Sequence, residues 1–98
     1  MGKKLSETIG ALIRERRTAK NMTQLELSRE LGYESMQFVS LFERGLSKVP
    51  HEVIGKLVVI LGIPEKQVVK AVIEDFSVEL AEKIKEGKKS VVSSRLDK

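Results

Sequence analysis

Signals that stop helices divide this sequence into short segments, and they constrain the fold more than any other feature. Each follows a stretch of apolar residues at helical spacing, and each is a residue type that readily adopts the left-handed conformation that ends a helix. These positions are Asn21, Gly32, Gly45 and Gly62. Thr23 and Glu26 have the spacing of a capping box, which starts a helix. The chain up to Gly62 is therefore predicted to form four short helices joined by loops.

Apolar periodicity and these signals predict an all-α fold of five helices, with no strand and no internal repeat. Ser6 is the expected N-cap of the first helix and Ser35 that of the third. The fourth helix is apolar on most of its surface and is expected to be central, with Gly55 marking a close approach by a neighbour. The predicted helices span about 7–19, 24–31, 36–44, 51–61 and 64–86.

The fifth predicted helix is longer than a domain of this size needs. It begins at Pro64, and its apolar stripe persists to Glu86, before Gly87 as the expected stop. The predicted organisation is one domain over residues 1–86, followed by a disordered basic tail over residues 87–98. The distal part of the stripe is expected to meet a second copy of the chain. The residues predicted to form this homodimer contact are Phe76, Leu80 and Ile84.

Composition excludes several classes of protein. The 98 residues include no cysteine, so neither disulfides nor thiolate metal sites are expected. No nucleophile–base pair, metal cluster or cofactor loop stands out, and His51 is the only histidine. No apolar run is long enough to span a membrane, and the N-terminus lacks the apolar core of a secretion signal. We therefore expect a cytoplasmic protein without membrane contact that is not an enzyme and needs no metal or cofactor.

Basic charge is concentrated at the two ends of the chain. The formal net charge is +4; residues 1–20 and residues 83–98 each carry six basic and two acidic groups. Residues 21–82 carry six basic and ten acidic groups. A basic protein of this size favours a polyanionic partner.

The segment about 23–45 carries a specific motif. It contains Met-Thr-Gln-x-Glu-Leu-Ser-x-x-Leu-Gly over residues 22–32, Ser-x-Gln-x-Val-Ser-x-x-Glu-Arg-Gly over residues 35–45, and then Pro50. This pattern resembles the XRE family of phage-repressor and Cro-like helix-turn-helix regulators, and the resemblance covers about residues 7–64. It implies a phage-repressor-like DNA-binding domain, here with an extended C-terminal helix, that acts as a sequence-specific transcriptional regulator on double-stranded DNA.

The resemblance also implies roles for individual residues. The third helix would read bases in the major groove, and an amide such as that of Gln37 can donate to and accept from adenine at once. Arg17 and Glu43 would form a structural ion pair between the first and third helices. The implied base-reading residues are Met36, Gln37, Ser40 and Leu41. The implied phosphate-binding residues are Gln24, Arg44, Ser47 and Lys48.

Three apolar residues of the third helix leave a second function open. Met36, Phe38 and Leu41 lie on or beside the presumed reading surface. They are as compatible with contact to a neighbouring helix or a partner protein as with contact to thymine methyl groups. The alternative hypothesis is a protein-interaction adaptor that uses the same fold.

Overall fold

The fold is all-α, as expected. A computed structural model describes residues 8–96, which form five helices and, within that range, no strand. The helices are α1 (Ile9–Ala19), α2 (Gln24–Glu30), α3 (Gln37–Glu43), α4 (His51–Leu61) and α5 (Glu65–Leu96). Short loops join them; α2 packs on α3 and α4 packs on α5, whereas α1 packs mainly on α3 and α5.

Most helix boundaries follow the local signals in the sequence. Thr23 and Glu26 form the predicted capping box: the Thr23 hydroxyl accepts from the Glu26 N–H at 3.0 Å, and the Glu26 carboxylate accepts from the Thr23 N–H at 2.7 Å. Asn21 has a φ of 57°, and the three glycines that end α2, α3 and α4 also have positive φ. These signals act within one turn of the chain, so they operate whatever packs around them.

Two predicted caps lie elsewhere. The N-cap of α1 is Thr8, whose hydroxyl accepts from the Ala11 N–H at 3.0 Å. Thr8 has the extended backbone that capping requires, and Ser6 lies outside the described residues. The residue at the N-cap position of α3 is Met36 rather than Ser35, because α3 begins at Gln37. The Ser35 hydroxyl still accepts from the Gln37 N–H, at 3.3 Å.

The hydrophobic core lies between α1 and the other helices. α1 packs against α3, α4 and α5, and α2 is attached through α3. The prediction that the fourth helix is central was therefore wrong: α4 buries one face and leaves Val59 81% exposed on another. The buried apolar residues are Leu12, Ile13, Leu27, Leu31, Val39, Phe42, Val49, Val53, Leu57, Leu61, Ile63, Val68 and Ala71.

The last helix is longer than predicted. It passes through Gly87 in helical conformation and continues to Leu96, so residues 87–96 are helical and not a disordered tail. One glycine inside a helix costs only about 1 kcal/mol relative to alanine, which is too little to stop a helix when no left-handed turn follows. Every side chain described from Leu80 to Arg95 is exposed. The distal half of α5 therefore extends away from the core.

Candidate nucleic-acid interface

α1 holds the end of α3 at very short range. Gly10 lies in the first turn of α1, and a Cβ atom built on it would lie 2.4 Å from the Phe42 carbonyl oxygen and 2.8 Å from that of Glu43. Only glycine permits this approach, because both neighbours are backbone atoms. The prediction placed such a contact at Gly55, which was wrong: a Cβ there would meet nothing within 4 Å.

A buried ion pair fixes the same end of α3. The Arg17 guanidinium binds the Glu43 carboxylate through two bonds, Nε–Oε2 at 2.6 Å and Nη2–Oε1 at 3.1 Å. The two side chains are only 10% and 3% exposed. Arg17 Nη1 also donates to the Met22 carbonyl oxygen at 2.7 Å, which ties the turn before α2 to α1. The pair implied by the family resemblance is therefore present, with the two-bond geometry that makes arginine–carboxylate contacts strong.

Gln24 joins this network from the start of α2. Its Nε2 donates to Glu43 Oε1 at 3.0 Å, so one carboxylate oxygen accepts from both Gln24 and Arg17. This hydrogen bond ties the start of α2 to the end of α3. A primary amide has two N–H donors, and the bond to Glu43 occupies one of them. The network thus connects α1, α2 and α3.

The outer side of α3 is open to solvent. Val39 and Phe42 point into the core, whereas Gln37 and Arg44 are exposed. Because the Glu43 carboxylate is buried and paired, the exposed charge on α3 and its C-cap comes from Arg44. Of the four residues predicted to read bases, Met36 and Gln37 are exposed. The other two, Ser40 and Leu41, are half-buried.

An aromatic cluster stands beside the start of α3. The rings of Tyr33 and Phe38 stack with centroids 4.8 Å apart, and both also approach Phe42 in the core. Phe38 nonetheless remains 46% exposed, and Met36 is 52% exposed. Phe38 is therefore partly supported by its own chain, while the patch it forms with Met36 still faces solvent.

Three of the four residues predicted to bind phosphates follow the C-terminal end of α3, whereas Gln24 lies at the start of α2. Arg44 Nε donates to the Ser40 carbonyl oxygen at 3.3 Å, and its side chain is exposed. Ser47 is half-buried in the loop that follows. Lys48 forms an ion pair with Glu79 of α5 at 3.2 Å, although most of its side chain is exposed. This contact brings the loop after α3 against the middle of α5.

Sequence reasoning missed the contacts through which α5 holds α1. Asp75 accepts from the Ile9 N–H at 3.0 Å, and Gln67 accepts from Arg16 at 2.9 Å. A carboxylate at the N-terminus of a helix is favoured by the helix dipole. Nothing in the sequence pairs these positions, because they are 66 and 51 residues apart.

The described residues contain neither a cluster that could bind a metal ion nor a helix that could cross a membrane. Among residues 8–96, no group of three or more acidic or histidine side chains is arranged to hold a metal ion. None of the helices in the same range combines the length and apolar character that crossing a membrane requires.

Comparison with known proteins identifies the family. A family model described as helix-turn-helix matches residues 13–68, which is more than half of the chain. The chain belongs to the XRE family of helix-turn-helix transcription regulators. The match begins in α1 and ends in the first turn of α5, so it contains the whole Arg17–Glu43–Gln24 network and α3. It leaves out most of α5.

A solved structure of another regulator is similar to a larger part of the chain than the family model matches. This XRE-family chain is similar to the clp gene regulator ClgR from Corynebacterium glutamicum, with 26% sequence identity and a TM-score of 0.60. The similarity covers 83% of this chain and 85% of the ClgR chain. No curated protein matches the chain significantly.

Proposed function

We propose that this protein is a sequence-specific, DNA-binding transcriptional regulator that reads the major groove with α3. The observation that carries the proposal is the exposed side of α3, which bears Gln37 and is fixed to the rest of the domain by the buried Arg17–Glu43 pair. The major groove of B-DNA admits one helix, and a glutamine amide can bind adenine through two hydrogen bonds. Because the orientation of α3 within the domain is fixed, the Gln37 amide would reach the same base position each time the domain docks on the duplex.

The surroundings of α3 support contacts to the DNA backbone. Gln24 is oriented by Glu43 and keeps a second amide N–H for a phosphate oxygen. Arg44, Ser47 and Lys48 follow at the C-terminal end of α3. To bind a phosphate, Lys48 would leave its exposed ion pair with Glu79. Exposed pairs of this kind stabilise a protein by only about 0–1 kcal/mol, so the loss is small. Such contacts position the protein on DNA, while α3 supplies the base contacts.

We further propose that the regulator acts as a homodimer through α5. Phe76, Leu80 and Ile84 are all exposed, on a helix that continues beyond the core. A twofold dimer places two recognition helices about 34 Å apart on one face of the duplex, which is one helical turn. No enzymatic step or cofactor enters this proposal.

The decisive experiment selects bound sequences from random duplex DNA and then measures affinity for the preferred sequence. Gln37→Ala is expected to weaken specific binding by about 1–3 kcal/mol, which is roughly 5- to 150-fold. Gln67→Ala is the matched control, because Gln67 lies on α5 and bonds Arg16 rather than facing outward on α3. Equal affinity of Gln37→Ala and the unmodified protein would refute base reading by this residue.

Salt dependence tests the phosphate contacts separately. The affinity of a protein for DNA falls as the salt concentration rises. In a plot of log affinity against log salt concentration, each phosphate neutralised by a lysine or arginine makes the slope more negative by about 0.9. We expect a steep slope that becomes shallower by about one unit in Arg44→Ala. A flat response between low and physiological salt would contradict phosphate binding.

The exposed aromatic patch favours one second candidate, a protein-interaction adaptor. Met36 and Phe38 are both about half exposed beside the stacked ring of Tyr33. Such a patch fits an apolar surface of a partner protein. Failure to bind any sequence in the random DNA pool, by a protein that remains folded, would favour the adaptor over the regulator.

A further inference from the structure

α5 has a second apolar face that the core does not use. Val68 and Ala71 are buried against the domain, whereas a separate row of apolar side chains, 45–60% exposed, runs along the helix to its distal end. We call this row, together with the glycine that falls in it, the α5 stripe. Its members are Val69, Ile73, Phe76, Leu80, Ile84, Gly87 and Val91.

The spacing of the α5 stripe is symmetric about Leu80. Val69 and Val91 each lie eleven residues from Leu80, and Phe76 and Ile84 each lie four residues from it. At 100° per residue all members fall within about 40° of the Leu80 direction, so they form one continuous row. The eleven-residue repeat corresponds to about 3.67 residues per turn, the period at which paired helices stay in contact along their length through a slight right-handed supercoil. A row that reads alike in both directions fits an identical helix running the opposite way.

We propose that the α5 stripe binds the α5 stripe of a second copy of this chain, with the two helices antiparallel and crossing at Leu80. This inference rests on the proposed homodimer, and it is independent of how α3 reads DNA. In this arrangement the two Leu80 side chains meet on the twofold axis, each Phe76 faces Ile84 of the second copy, and each Val69 faces Val91. The contact is therefore longer than the three residues predicted from the sequence.

The charge distribution of α5 specifies the antiparallel orientation. Residues 65–82 carry five acids and two bases, a net charge of −3, and residues 83–95 carry five bases and one acid, a net charge of +4. Antiparallel pairing places the acidic half of each helix beside the basic half of the other, which is favourable on both sides of the axis. Parallel pairing would place like charges together along the whole length.

Gly87 has a clear place in this pairing. It lies seven residues beyond Leu80, opposite Ile73, which lies seven residues before it. A Cβ on Gly87 would meet nothing within 4 Å in the single chain, so the glycine serves no packing need inside the domain. The missing side chain leaves room for Ile73 of the second copy.

The pairing also sets the distance between the two domains. Ala71, the buried residue of α5 nearest to the crossing point, lies nine residues from Leu80, which is about 13.5 Å along the helix. The two copies are therefore displaced by about 27 Å along the pair, and because Ala71 is about 180° around the helix from Leu80, each domain lies on the outer side of its own α5.

Cysteine cross-linking tests the orientation directly, because the full chain contains no cysteine. Facing residues of packed helices come within disulfide range, which requires Cα atoms about 4.4–6.8 Å apart. After oxidation we expect Leu80→Cys to cross-link with itself, and Val69→Cys to cross-link with Val91→Cys when the two variants are mixed. Val69→Cys alone is expected to give no cross-linked product. Val78→Cys, on the opposite side of the same helix, is the control and should also give none.

A parallel arrangement would instead cross-link Val69→Cys with itself and would give no cross-link between Val69→Cys and Val91→Cys. That result would overturn the antiparallel arrangement. The solution mass tests the surface itself: we expect twice the 11.0 kDa of one chain. Leu80→Lys places two lysines together on the axis and should shift the mass to that of one chain, while Val78→Lys should keep the dimer. A single-chain mass for the unmodified protein would overturn the proposal. DNA affinity of the same samples is a separate readout, so a failure of DNA binding with an intact dimer falls on the proposed function alone.

Discussion

Gly10 is the residue at which the smallest change should have the most informative effect. Replacing glycine by alanine inside a helix normally stabilises it, by up to about 1 kcal/mol. At Gly10 the added methyl group would lie 2.4 Å from the Phe42 carbonyl oxygen and 2.8 Å from that of Glu43. Both are backbone atoms of α3, so no side-chain rotation relieves the contact, and α1 and α3 must separate. We expect Gly10→Ala to reduce the free energy of unfolding by about 1–3 kcal/mol.

Urea and thermal unfolding measure this change. For a chain of this length each kcal/mol corresponds to a shift of about 4–8 °C in the melting temperature. Gly55→Ala is the matched control, because it is the same substitution in a helix where the new methyl group meets nothing within 4 Å. The two variants should shift stability in opposite directions, with Gly55→Ala stabilised by up to about 1 kcal/mol. If Gly10→Ala were as stable as Gly55→Ala, the close approach of α1 and α3 would be refuted.

Three further substitutions can be measured in the same unfolding assay. Arg17→Met leaves the Glu43 carboxylate buried without its cation and should cost about 3–5 kcal/mol; a loss under about 1 kcal/mol would contradict a buried pair. Ser28→Ala removes a buried hydroxyl that has no hydrogen-bond partner among the described residues and should stabilise the protein by about 1 kcal/mol, so a loss would mean that the hydroxyl is bonded. Thr23→Ala removes the hydroxyl of the capping box and should lower the free energy of unfolding by about 1 kcal/mol. The control is Thr18→Ala, at an exposed hydroxyl, which should change it by less than about 0.5 kcal/mol. Similar effects of the two substitutions would contradict the cap.

Local features of the sequence predicted local structure well. Thr23 with Glu26 starts α2, and Asn21 and Gly62 take left-handed conformations at helix ends, because each effect depends on atoms within one turn. The Arg17–Glu43 pair was accessible only through the family resemblance, since no spacing rule links residues 26 positions apart.

Features set by neighbouring elements were not predictable in the same way. Gly10 and Gly55 look alike in sequence, and only the position of α3 makes one of them essential and the other replaceable. Gly87 was expected to end a helix that it continues, because a glycine stops a helix only where the chain turns into the left-handed region. Asp75 binds the start of α1, and that contact depends on how α5 packs.

Under the proposed pairing of α5, protein concentration controls the secondary structure of the exposed distal half of this helix. The sixteen consecutive residues from Leu80 to Arg95 are exposed and do not pack against their own domain. Helices of about that length are only marginally stable alone in water. Dilution should therefore unwind this segment while the core stays intact. In a cell, the quantity of the protein would then decide how much of it is structured, and newly made chains would complete their last helix only after enough of them had accumulated.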